Sequence, residues 1–165
     1  MITVYVWNYT ATLGKGGTWG HASVKVTGGS PAGSEYFSWW PQGVGREAKI
    51  HDSIPLYEVK AILNRTFEDD CRDEGDARGP KAPDYEIVID KLDESQVKAY
   101  WRDLLLNDPK WSTLGQNCST TVARSLMAGG GDAKTALLDW WHTWNVVWKP
   151  DDVVRYASAI QAGAA

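Results

Sequence analysis

The first third of the chain alternates with a period of two, and most of the remainder repeats near every fourth residue. This change restricts the possible folds more than any other feature. "ITVYVWNY" is dense in β-branched and aromatic side chains, "HASVKVTGG" alternates apolar with polar positions, and "SEYFSWWPQG" is a short aromatic run closed by Pro41 and Gly43. The Gly-rich "TLGKGGTWG" joins the first two runs. Short strands separated by such turns predict an antiparallel meander.

From about Ile54 the pattern becomes helical. "IPLYEVKAILNRTF" places Leu56, Val59, Ile62 and Leu63 at helical spacing, with Pro55 suited to a first turn. "EDDCRDEGDARGPKAPD" is charged and rich in Gly and Pro, so it reads as an exposed, solvated loop. Its carboxylate spacing does not match an EF-hand. "YEIVID" is a further strand. "LDESQVKAYWRDLLLND" reads as a helix with Asp93 as N-cap, Gln96 at its third position and Pro109 beyond its end. "NCSTTVARSLMAGGG" is a helix stopped by glycines, "DAKTALLDWWHTW" reads as helical, and "KPDDVVRYASAIQ" is a C-terminal helix with acidic residues in its first turn. The expectation is one α+β domain over residues 1–165, a small antiparallel sheet packed against helices.

Composition then removes several function classes. A net charge of −4 provides no basic footprint for nucleic acid. No apolar run approaches the roughly 18 residues that span a bilayer. The start, "MITVYVWNYT", lacks the features of a signal peptide, so the chain is expected to be cytoplasmic as made, a state that also suits delivery to another cell by a specialised secretion system. The two cysteines, Cys71 and Cys118, do not form a disulfide framework, and no ligand spacing indicates a metal. Ten tryptophans stand against two phenylalanines. Indoles suit cleft walls and interfaces, and they also suit a packed core.

Cys118 is where chemistry enters. If Asn117 or its neighbour caps the helix, Cys118 lies in the first turn, where unpaired N–H groups and the helix dipole favour an anion. A thiolate is the nucleophilic form of cysteine, and those N–H groups also suit an oxyanion. Cys71 sits among carboxylates that disfavour a thiolate. A small buried thiol filling space is the plain alternative for Cys118.

A nucleophilic cysteine usually works with a histidine. His142 lies among aromatics and His51 in a connection. His21 opens the strand "HASVKV", on the face shared with Ser23 and Lys25 rather than with Ala22, Val24 and Val26. A third group would orient the imidazole. In "EYFSWW", Ser38 falls on the polar side, whereas alternation puts the stronger acceptor, Glu35, on the face of Phe37. Ser38 is therefore preferred over Glu35.

"WGHASVKV", "YFSWWP" and "GQNCSTTVARSL", in that order, resemble the circularly permuted papain-like superfamily, which includes permuted NlpC-type peptidases and the lecithin:retinol acyltransferase relatives. The resemblance covers about residues 1 to 130. It implies Cys118 as nucleophile, His21 as base, and acyl transfer through a thioester without metal or organic cofactor. The third position does not carry over from the resemblance, and this strand offers Ser38 ahead of Glu35; Gln116, Asn117, Trp19 and Trp40 are the expected oxyanion or substrate contacts. The leading expectation is a cysteine amidase or peptidase acting on bacterial cell-wall peptide, in the manner of a secreted antibacterial effector. A lipid acyltransferase, phospholipase or thioesterase is the second. A Trp-rich carbohydrate-binding module, which would not need Cys118, is the third. The expected partners are a peptide or acyl substrate, with the aromatic C-terminal segment as a seat for an immunity or carrier protein.

Overall fold

The structure is a computed structural model that describes residues 1–9, 20–42, 58–76, 78–107, 110–135 and 145–163. Strands β1 (Ile2–Trp7), β2 (His21–Thr27), β3 (Ser34–Ser38) and β6 (Tyr85–Ile89) form an antiparallel sheet in the order β3-β2-β1-β6. A smaller sheet, β4-β5-β7, joins Trp40–Pro41, Val59–Ile62 and Lys110–Trp111. Among the described residues four α-helices accompany them: α1 (Phe67–Asp73), α2 (Glu94–Leu106), α3 (Cys118–Ala128) and α4 (Pro150–Gly163). This is the α+β class expected from the sequence.

The strand residues pair in a register that follows from their alternation. Val4 stands opposite Val24, and Val24 opposite Phe37, so one face of the sheet is apolar across three strands. That face forms a core with Val97 and Trp101 of α2, Val122 and Leu126 of α3, and Val153 and Ile160 of α4. Each such side chain contributes about 1.5–3 kcal/mol on full burial. Phe37 stacks on Trp101 at 5.3 Å with ring planes 4° apart.

The opposite face carries Tyr5, Trp7, His21, Ser23 and Tyr36, since Tyr5 pairs with Ser23 and Trp7 with His21. It is not left to solvent. Every residue of β1 is buried, because α1 lies over this face. Phe67 packs its ring 4.8 Å from Tyr5 and 6.1 Å from both Trp7 and Tyr36.

Two expectations are corrected here. The segment expected to continue a helix from Ile54 is, where described, a strand: Val59–Ile62 pairs with Trp40–Pro41 and with Lys110–Trp111. Its β-branched and apolar residues satisfy two neighbours in a sheet. The acidic stretch expected to be a solvated loop instead contains α1, capped reciprocally by the Thr66 hydroxyl and the Asp69 carboxylate. Thr66 and Asp69 are the S/T-x-x-D/E signal of a helix start, and charge density masked it. The helix starts at Asp93 and Asn117 and the C-terminal helix match their expected positions. The segment expected to be helical from Asp132 to Trp144 shows a 3-10 turn at Gly131–Lys134 and an extended Thr135, and residues 136–144 lie outside the described residues.

Candidate active site

His21 is delivered by a constrained turn. Gly20 adopts φ +75°, and a Cβ there would stand 2.5 Å from the Trp7 carbonyl oxygen, so the residue before His21 must be glycine. The strand then buries the imidazole, leaving it 2 % exposed, with its ring 5.7 Å from Trp7 and 4.6 Å from Trp40.

Cys118 is delivered by a cap. The Asn117 backbone is extended, and its side-chain oxygen accepts from the Thr120 N–H at 2.8 Å. Cys118 is therefore the first residue of α3. The residue as a whole is half-buried. The sulfur meets the start of β2, where the His21 side chain and the Ala22 backbone N–H favour its thiolate form, and it lies 4.0 Å from the Ser119 hydroxyl. A further tie holds the loop before it, where the Trp39 indole N–H donates to the Gln116 carbonyl at 3.1 Å.

The other edge of the imidazole meets Asp70. His21 Nε2 lies 3.0 Å from Asp70 Oδ2 and 2.9 Å from the Ser38 hydroxyl. With Nε2 so engaged, Nδ1 is the nitrogen left for sulfur. Asp70 is fully buried on α1 and surrounded by donors. The Tyr36 hydroxyl donates to Oδ2 at 2.6 Å, and Trp40 Nε1 and Arg65 Nε donate to Oδ1 at 2.8 and 2.9 Å. Ser23, 2.6 Å from Tyr36, supplies a hydrogen to the tyrosine oxygen in turn.

These contacts set the charges. Burial opposes the imidazolium, but Asp70 and then the Cys118 sulfur outweigh it and raise His21 from 6.5 to about 10. Burial likewise opposes the Asp70 carboxylate, and His21, Tyr36 and Ser38 overcome it and hold the group well below the usual carboxylate range. For Cys118, burial raises the thiol, while His21 and the Ala22 N–H lower it further, so the net direction is down. All three shifts favour a thiolate–imidazolium–carboxylate arrangement. By contrast burial, Asp70 and Glu68 push the Cys71 thiol up.

The sequence-derived residues divide as follows. Cys118, His21 and Ser38 come together. Trp40 joins them, as a wall against His21 and a donor to Asp70 rather than at the sulfur. The Asn117 amide is committed to the cap and, through Nδ2, to the carbonyls of Thr113 and Trp148 at 2.9 and 3.1 Å. The Gln116 amide donates to the Lys110 carbonyl at 2.9 Å. Neither side chain is aimed at the sulfur. Glu35 is on the core side, 2.6 Å from Arg102 and 3.4 Å from the buried Lys98 ammonium. Trp19, His51 and His142 lie outside the described residues. Asp70 was missed by sequence reasoning, since composition assigned it to solvent. The signal that finds it is the capping box at Thr66–Asp69 with Phe67 inside it as an apolar anchor.

A family model described as the IcsB middle domain matches residues 58–165, a range that contains Asp70 and Cys118 and begins after His21. The chain is also similar to two proteins named "Multifunctional-autoprocessing repeats-in-toxin". One, from Vibrio vulnificus, is 31% identical over 121 residues, covering 70% of this chain and 2% of the relative. The other, from Vibrio cholerae serotype O1, is 35% identical over 121 residues, with the same coverage. The chain thus spans about 2% of the length of these relatives. No solved structure matches.

Proposed function

This chain belongs to the family of the IcsB middle domain, and from that premise we propose that it is a toxin-type cysteine enzyme that transfers acyl groups through a thioester on Cys118. The observation that carries this is the single imidazole of His21 held between a thiol at a helix start and a buried carboxylate. That constellation has a specific use in nucleophilic catalysis.

The thiolate attacks a carbonyl carbon, and the carbonyl oxygen becomes an oxyanion. The N–H groups of Cys118 and Ser119, at the first two positions of α3, have no acceptor within the helix and are placed to bind it. The His21 imidazolium gives its proton to the leaving group. Asp70 stabilises the charged ring and fixes which nitrogen faces sulfur. The neutral imidazole then takes a proton from the incoming nucleophile, which releases the acyl group and restores the thiolate.

Two carbonyl sources fit this chemistry. An amide, such as cell-wall peptide, makes the enzyme an amidase or peptidase. A lipid or thioester acyl group makes it an acyltransferase or thioesterase, and one feature favours this second reading. Leu114, 57% exposed, lies in the turn before Cys118, and Val146, 79% exposed, lies in the segment tied to that turn through Asn117. Leu114 presents apolar surface in the turn that leads into the helix start. Stacking on sugars has less support: the described tryptophans are buried or half-buried.

The deciding experiment mixes the protein with peptidoglycan fragments, phospholipid vesicles or an acyl thioester, and quenches in acid. Intact-mass analysis is expected to show an acyl adduct on Cys118 with one of these and none in Cys118→Ala. Equal turnover of that substrate by Cys118→Ala defeats the reading. The relatives' names support a toxin role, and this predicts that expression inside a susceptible cell is harmful only with Cys118 in place.

A further inference from the structure

We infer that Arg65 is a positioning residue for the Cys118–His21–Asp70 group: it holds one Asp70 oxygen so that the other stays on His21. This deepens the thiol-enzyme reading and takes its functional meaning from it.

A buried carboxylate can still rotate about its Cβ–Cγ bond, and its donors decide which oxygen meets the imidazole. Arg65 is fastened at several points. Its Nε donates to Asp70 Oδ1 at 2.9 Å and its Nη2 to Asp73 Oδ2 at 2.6 Å. Its Cζ lies 4.6 Å from the centroid of the Trp40 ring. The Trp40 indole donates to the same Oδ1 at 2.8 Å, and its ring lies 4.6 Å from that of His21. The guanidinium is thus clamped between α1 and an indole, and its side chain is 9% exposed. A planar fork can make both carboxylate contacts at once and stack, which a lysine cannot. Both donors to Oδ1 come from outside α1, so the site takes its orientation from the connection between β5 and α1 and from β4.

The charged and titratable groups around the pair are Asp70, Arg65, Tyr36 and Cys118, with Cys71 and Asp73 behind them on α1. Charge alone also raises the thiol midpoint when the Arg65 cation is removed, but it predicts no change in Arg65→Lys and a fall in Asp73→Asn, which removes an anion. If Arg65 acts by orientation, loosening it lets Asp70 turn from His21, and the midpoint rises in those two variants as well.

The test follows alkylation of Cys118 by iodoacetamide against pH, resolved by peptide mass spectrometry so that Cys71 is counted separately. Arg65→Met is expected to raise the Cys118 midpoint by about one pH unit, about tenfold less thiolate at a fixed pH below it. Arg65→Lys should fall between. Asp73→Asn removes only the second anchor, touches neither Asp70 nor His21, and is expected to shift the midpoint upward by less. An unchanged or lowered midpoint in Asp73→Asn, or an unchanged one in Arg65→Met, overturns the role of Arg65, and Asp73→Asn decides alone where Arg65→Met does not fold. An ordinary thiol midpoint in the unaltered protein overturns the pair itself, and the thiol-enzyme reading with it.

Discussion

Asp70 shows how one residue's surroundings reverse its chemistry. A carboxylate in a run of acids is ordinarily solvated, yet this one is fully buried and meets donors from His21, Tyr36, Trp40 and Arg65. Asp70→Asn keeps the shape and replaces an acceptor oxygen with a donor, so at least one of these groups is left facing an N–H. Breaking a buried ion pair in this way costs about 3–5 kcal/mol. Urea unfolding should register that loss, and Cys118 alkylation should fall toward ordinary thiol behaviour at neutral pH. A variant as stable and as reactive as the parent would show that Asp70 does not support the imidazolium. Ser38→Ala, which removes a neutral partner of both Nε2 and the Asp70 carboxylate, is expected to lower alkylation by a smaller factor while leaving the pair formed.

At the scale of elements, two helix starts place the two charged ends of the group. Asn117 caps α3 and also ties Thr113 and Trp148 to it, so it sets the position of Cys118 from three directions. Asn117→Ala should destabilise the protein by about 1–2 kcal/mol and slow acylation more than it lowers stability predicts. Thermal melting and single-turnover rates on the same variant would separate the two effects. Thr66 does the equivalent for α1. Thr66→Ala is expected to cost about 1 kcal/mol, and to loosen Asp70 because α1 is only 7 residues long. Hydrogen exchange of the α1 amides, faster in the variant while those of β1 and β2 keep their protection, is the expected signature. Asn117 and Asp93 were readable as caps because an apolar helical stripe follows each of them. Thr66 was not, because acidic residues follow it and its helix docks by one ring, Phe67.

Over the whole molecule the buried pair ties stability to pH. Asp70 is held below its ordinary value of 3.8, so its contribution is present above that pH and is lost as pH falls through the lowered folded-state value. His21 is raised from 6.5 to about 10, so its contribution is complete below 6.5 and disappears as pH rises toward about 10. The pair should therefore stabilise the fold most between about pH 4 and 6.5. Melting temperature plotted against pH, with Asp70→Asn as reference, should show the largest gap in that window and a closing gap on the alkaline side. A gap that widens from pH 7 to 10 would contradict the raised imidazole. Among the described residues no helix is long and apolar enough to cross a membrane.

The sequence by itself determined whatever depends on neighbours along the chain. Alternation decided β1, β2 and β3 and the face of His21, the cap residue decided that Cys118 begins a helix, and the same alternation kept Glu35 away from the site. These are local effects, set by side-chain periodicity and by hydrogen bonds spanning a few residues. The tertiary structure alone decided the third member of the group and the partners that hold it. Asp70 reaches His21 only because α1 folds back over the polar face of the sheet, and that docking depends on Phe67, Tyr5, Trp7 and Tyr36 packing across separate segments. A carboxylate's burial is a property of the surface placed against it, and no count of charges along the chain contains that information.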